Sequence, residues 1–198
     1  MLVVVGGHTR NIGKTSVAAG LIRALREHEW IAVKITQYGH AACAHEGDGC
    51  GCEAPGEQAY ALEEEFEPGR RDSQRFLAAG ARRSFWLRTP AGQLGCALPA
   101  LRKILACGRN SIIESNSVLE FVDPNVYLVV VDFTSEDFKP SSLRHLHRAD
   151  GLVVIDRGIS QPLWRHVASG LWDQKPQFLV RPPRYASAEV ADFVRQRI

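Results

Sequence analysis

Apolar residues recur in short runs and in helical spacings that alternate along the chain. Residues 2–5 form a β-branched run that stops at Gly6-Gly7, which predicts a buried strand. Residues 14–28 place Val17, Ala18, Leu21, Ile22 and Leu25 at helical spacing. Strand character returns at 30–38, followed by a long polar stretch from about 39 to 69. Helical patterns recur at 73–81 and 94–106. Strands are predicted at 111–114, 126–132 and 152–156, then a helix at 163–171, a strand at 177–180 and a closing helix at 186–197. Several strands are apolar at consecutive positions, as parallel strands covered on both faces must be. The expected architecture is α/β in three layers with a mostly parallel sheet. Without internal repeats or a separating linker, residues 1–198 read as a single domain with one elaborated insertion at about 39–69.

Composition narrows the class. The 198 residues are 45% hydrophobic and 23% charged, which excludes a disordered or fibrous chain. The apolar run 126–131 is far shorter than the roughly 20 residues a membrane helix needs. The opening residues carry no basic leader, so no export signal is expected. A net charge of +2 from 24 basic and 22 acidic residues argues against nucleic acid or a membrane surface as principal partner. Five cysteines, an odd number, then point to the cytoplasm and to metal or redox chemistry rather than a disulfide frame.

In such sheets ligands bind beyond the carboxyl ends of the strands, where the chemistry-bearing residues of this chain concentrate. The segment Gly6-Gly7-His8-Thr9-Arg10-Asn11-Ile12-Gly13-Lys14-Thr15-Ser16 lies between the first strand and the first helix, and Gly13-Lys14-Thr15 is the end of a Walker A motif. Backbone N–H groups from Thr9 to Ser16 are expected to wrap a phosphate. Lys14 adds charge at the β and γ phosphates, and the Thr15 hydroxyl suits Mg²⁺. The usual first glycine position is His8, with Gly7 one residue earlier. This longer loop resembles that of dethiobiotin synthetases, which belong to the P-loop group that includes nitrogenase iron protein-like and metallochaperone GTPases. The resemblance implies a P-loop NTPase fold and, by analogy with related proteins, a homodimer.

A second resemblance is carried by Lys34 and Thr36 at the end of the second strand, by Asp72-Ser73, and by Ala79-Gly80-Ala81. These residues look like the molybdopterin-guanine dinucleotide biosynthesis protein B family. Arg71, Ile35 and Gln37 depart from its pattern. The resemblance implies purine nucleotide binding (GTP or ATP) and slow Mg²⁺-dependent hydrolysis in an accessory to molybdenum-cofactor nucleotide attachment, with a nucleotidyltransferase as partner. Physically, Asp72 and Ser73 either cap the helix that follows or bind a substrate beside the Mg²⁺–phosphate region. Lys34 is either a surface cation or a ligand for phosphate or an anionic substrate.

Glu114 ends an apolar strand, where an unpaired carboxylate is costly to bury. It is expected to serve Mg²⁺ or the attacking water, or else a structural ion pair, and with Lys14 it forms the candidate catalytic pair. Asp132 is a rival for the acidic role and equally a cap for the turn at Thr134-Ser135. At the base end, Asp156 and Arg157 follow a strand, as does Arg181-Pro182-Pro183. Both segments are candidate base contacts or plain strand-end turns, and neither separates ATP from GTP.

The insertion has no Lys or Arg between His40 and Pro68 but eight acids, and Cys43, His45, Cys50 and Cys52 fall within ten residues. Thiolate and imidazole suit Zn²⁺, and also Ni²⁺ or Cu⁺; the alternative is an acidic loop that binds no metal. Cys96 and Cys107 are expected in the core. Three functions compete: the nucleotide-hydrolysing accessory, a dethiobiotin-synthetase-like or kinase-like enzyme with a small-molecule substrate at Lys34, Asp72 and Ser73, and a metallochaperone-type NTPase using the Cys/His insertion.

Overall fold

The computed structural model describes residues 1–39 and 59–198. The candidate metal ligands Cys43, His45, Cys50 and Cys52, with His40, lie outside the described residues.

The strands are β1 (Leu2–Gly7), β2 (Ile31–Tyr38), β3 (Ala61–Glu65), β4 (Arg83–Pro90), β5 (Ser111–Glu114), β6 (Val126–Asp132), β7 (Gly151–Ile155) and β8 (Gln177–Val180). The helices are α1 (Lys14–Ala24), α2 (Asp72–Ala79), α3 (Leu94–Leu105), α4 (Pro140–Leu143) and α5 (Ala188–Arg195). One sheet runs β3-β4-β2-β5-β1-β6-β7-β8. Every pairing is parallel except β3 with β4.

Successive residues of β1 explain the three layers. Val3 and Val5 pack toward α1, α2 and α5, whereas Val4 points to the opposite face with α3. Both faces exclude water, so the strand is apolar throughout. The face beyond β6 is finished by aromatic residues. Trp164 meets Phe133, Phe138 and Trp172 edge-on, with ring centroids 5.7, 5.2 and 5.2 Å away.

Four sequence expectations are corrected. Strands β3 and β4 are absent from the sequence-based pattern, because their charges make them look like loop. In the fold those charges pair across the antiparallel ladder: Arg83 makes bonds of 2.6 and 2.7 Å to Glu64, and Arg88 pairs with Glu63. The helix expected at 163–171 is coil with a single 3-10 turn at Ser169–Leu171. Its apolar residues Trp164, Val167 and Trp172 serve the aromatic layer without helical geometry. The first helix ends at Ala24 and gives way to a 3-10 turn at Arg26–His28, where buried Trp30 donates its indole N–H to the Leu25 carbonyl at 2.8 Å. Cys96 and Cys107 are exposed, not core. Among the described residues no helix is long and apolar enough to cross a membrane.

Because Trp164 is buried among three aromatic rings, Trp164→Ala is expected to cost about 3–5 kcal/mol in urea unfolding.

Candidate functional site

The turn from β1 into α1 is built by two left-handed residues and held by three neighbouring segments. Asn11 has φ 52° and Gly13 has φ 96°. Asparagine and glycine are the residue types that accept this geometry most readily. A Cβ at Gly13 would also fall 2.7 Å from the Tyr185 ring. The loop is fastened at Gly7 by Asn116, from just beyond β5. The Gly7 N–H donates to Asn116 Oδ1 at 2.9 Å, and Asn116 Nδ2 donates to the Gly7 carbonyl at 2.9 Å. Gly6 is needed beneath this clamp, since its Cβ would lie 2.3 Å from Asn116 Oδ1. On the other side the Lys139 N–H donates to the His8 carbonyl at 2.7 Å, and the Thr9 hydroxyl bonds Asp137.

His8 itself is fully buried against Phe138 and Trp164. Neither ring nitrogen makes a well-formed hydrogen bond among the described residues. Burial pushes its pKa down to about 4, with the Val130 carbonyl, Asp132 and Asp137 opposing more weakly. The imidazole is therefore neutral in the folded protein at pH 7.

Seven polar or charged residues meet beside the loop. Register explains part of this, because Lys34 of β2 lies directly beside Glu114 of β5 in a parallel pair. Glu114 is only 2% exposed. It accepts from the Thr15 hydroxyl at 2.7 Å and from the Lys34 ammonium. Lys34 also reaches Asp72 at 2.9 Å and Thr15 Oγ1 at 3.5 Å. Arg75 bonds the Ser16 hydroxyl at 2.8 Å and approaches Asp72 at 3.5 Å. Lys14 rests on the Thr9 carbonyl at 3.3 Å.

Burial lowers the pKa of Lys14, with Glu114 opposing. Burial acts the same way on Lys34, but Glu114 and Asp72 outweigh it and the pKa is raised. Asp72 is lowered, since Lys34 and its hydrogen bonds overcome the effect of burial.

These residues line a cavity of about 270 Å³ formed by loop residues 11–16 with Lys34, Asp72, Arg75, Glu114 and Tyr185. A second cavity, of about 350 Å³, shares Asn11, Lys34 and Asp72 with the first and extends to Thr36, Arg71, Ser73 and Trp86. A larger cleft, of about 610 Å³, involves His28, Arg82 and Cys107 and contains none of the predicted site residues.

The donor set fits Mg²⁺. Thr15 Oγ1, Glu114 and Asp72 are hard oxygen donors that already converge on one positive charge, the Lys34 ammonium.

Other predicted residues have different local roles. Asp72 begins α2 without capping it through a side-chain bond, and pairs with Lys34 instead. The Ser73 hydroxyl donates to Glu65 at 2.6 Å. Ile12 packs into the core while Arg10 and Asn11 are exposed. Asp132 accepts from the Thr134 N–H at 2.8 Å and its hydroxyl at 2.6 Å, so it caps the turn. Arg157 lies 3.3 Å from Asp132. Asp156 accepts from the Gly158 N–H at 2.9 Å and from Arg181 at 2.7 Å, and these bonds lower its pKa. Neither Asp156 nor Arg157 joins the cluster around Lys14. Sequence reasoning missed Asn116, Arg75, Trp86 and Lys139. Only Asn116, two residues beyond Glu114, carried a positional hint.

No protein-family model matches the chain, and no curated protein matches it. Among solved structures, the crystal structure of HypB from Helicobacter pylori in complex with nickel aligns with a TM-score of 0.52 at 13% identity, covering 98% of this chain and 85% of that one. The chain has the P-loop NTPase fold. A structure of LpxK from Aquifex aeolicus in complex with ATP aligns with a TM-score of 0.48 at 14% identity, over 90% of this chain and 53% of that one.

Two outcomes follow from the loop's anchoring. Asn116→Ala leaves the Gly7 groups unpaired and is expected to cost about 1–3 kcal/mol, read by chemical denaturation. The unfolded chain protonates His8 below its ordinary pKa of 6.5, the folded chain only below about 4. Across that window the unfolded state binds more protons, so stability falls as the pH falls. His8→Phe is expected to remove up to about 3 kcal/mol of that acid-side loss, measured by unfolding at pH 7 and pH 4.

Proposed function

We propose that this chain binds a purine nucleoside triphosphate with Mg²⁺ and hydrolyses it slowly. The observation that carries this is the convergence of Lys14, Thr15, Lys34, Asp72 and Glu114 on one cavity at the mouth of a P-loop. Phosphoryl transfer asks a protein mainly for positioning and charge neutralisation. The loop N–H groups from Thr9 to Ser16 cradle the phosphates. Lys14 exchanges the Thr9 carbonyl for phosphate oxygens, gaining a stronger, charge-assisted partner. Thr15, Glu114 and Asp72 would hold the metal, and Glu114 is also the residue that would position the attacking water. Mg²⁺ when bound supplies charge neutralisation at the phosphate oxygens. Asp156 and Arg157 frame the base, which leaves both ATP and GTP as substrates to compare.

The place of this hydrolysis in the cell follows from the second resemblance: an accessory to nucleotide attachment in molybdenum-cofactor synthesis, working with a nucleotidyltransferase. Part of that resemblance has a purely structural cause. Gly80 closes α2 with φ 105°, flanked by buried Ala79 and Ala81. Lys34, Thr36, Asp72 and Ser73 carry the remainder.

One observation favours a second function, phosphoryl transfer to a small molecule. The adjoining cavity shares Asn11, Lys34 and Asp72 with the cavity at the phosphate loop and is large enough for a metabolite. Turnover with a metabolite alone supports this enzyme, whereas stimulation by a protein partner supports the accessory.

Calorimetric titration of ATP and GTP, each with and without Mg²⁺, tests the shared basis. Lys14→Ala is expected to weaken binding by about 10–100-fold. Unchanged affinity in that variant refutes phosphate binding at this loop.

A further inference from the structure

The oxygens best suited to a divalent cation are already occupied by an amine. Lys34 bonds Glu114, lies 2.9 Å from Asp72 and 3.5 Å from Thr15 Oγ1, and its side chain is only 17% exposed. An ammonium group and Mg²⁺ compete for the same lone pairs, and two positive charges at that separation repel strongly in a buried site. The lysine must leave if a metal is to enter. Its backbone is locked in β2 between β4 and β5, so only the flexible four-carbon stem can move.

The space open to it is the second cavity, of about 350 Å³. Its indole wall is already fixed. The Trp86 N–H donates to Thr36 Oγ1 at 3.0 Å, and the Arg88 guanidinium stacks 4.4 Å from the ring centroid. Arg71 contributes a further positive charge. Once Lys34 has turned, the cavity presents a flat apolar wall and two cations.

We infer that this cavity is the site of a small, ring-bearing anionic co-substrate, and that Lys34 is released to bind it when a divalent cation takes over Glu114 and Asp72. The inference rests on the proposed Mg²⁺–nucleotide site and gives the small-molecule reaction its acceptor class and its order. Metal and nucleotide enter first, the anion second. The ring lies against Trp86, and the carboxylate or phosphate of the acceptor faces Lys34 and Arg71. Without the metal, Lys34 stays with its carboxylates and the cavity lacks its deeper cation.

Acetylation of Lys34 in the wild-type protein, followed by mass spectrometry, tests this directly. Mg²⁺·ADP is expected to raise the labelling rate at Lys34 by about tenfold, as the amine leaves its ion pairs. Phenylphosphonate or benzoate added next should suppress that labelling, and the more protective probe identifies the anionic group. Trp86→Ala should abolish the protection while keeping the rise with Mg²⁺·ADP. Mn²⁺ titrated alone, followed by electron paramagnetic resonance, should bind Lys34→Gln about tenfold more tightly than wild type. A thermal melt first establishes that this variant is folded, and the wild-type labelling decides if it is not. Unchanged labelling of Lys34 with Mg²⁺·ADP demonstrably bound overturns the displacement. Absence of protection by both anions overturns the co-substrate site. Failure of Mg²⁺·ADP to bind at all refutes instead the nucleotide function beneath it.

Discussion

The architecture of the site depends on one buried ion pair between neighbouring parallel strands. Glu114 ends β5 almost without solvent contact, and an isolated carboxylate there would cost several kcal/mol. The β2–β5 register brings Lys34 alongside it, and the first turn of α1 adds the Thr15 hydroxyl. Two strands and a helix are thereby committed to a single arrangement of charge. Asp72 enters from α2 and supplies the second carboxylate that one lysine can serve. Removing Lys34 would leave Glu114 buried with only the Thr15 hydroxyl bonded to it among the described residues, so the pair holds its own geometry.

The phosphate loop is tied to this centre and to the far side of the sheet at once. Asn116 clamps Gly7 from two residues beyond Glu114. Opposite it, Lys139 and Asp137 hold His8 and Thr9 from the segment that follows β6. His8 plugs into the aromatic layer of Phe138 and Trp164. Where the usual loop has a glycine, this chain has a neutral imidazole that fills space. The extra residue in the loop therefore has a physical role: it anchors the loop backbone to the aromatic layer.

Much of the candidate site was legible before the fold was known. Gly13, Lys14 and Thr15 declare themselves by spacing, and Lys34, Asp72 and Glu114 by falling within or at the end of predicted strands or at the start of a helix. Their convergence was not legible, since it depends on β2, β5 and α2 meeting. Trp86 stayed hidden because β4 did not look like a strand. Its arginines and the acids of β3 read separately as polar chain, and only across the antiparallel ladder do they neutralise one another. Asp132 and Asp156 each accept the N–H group two residues onward, a local contact that the sequence left open beside a site role.

Local chemistry along the chain is enough to determine the alternation of buried strands and helices, the phosphate loop, and the acid at the end of β5. Each depends on neighbours within a few residues: runs of branched side chains, helical spacing, glycine before lysine. Tertiary structure alone decided which charge meets which. It set Lys34 between two carboxylates from distant segments, opened the indole-walled cavity beside it, and turned 163–171 from an apparent helix into aromatic coil. Long-range pairing and packing energies settle those choices, and they act between residues that the order of the chain keeps far apart.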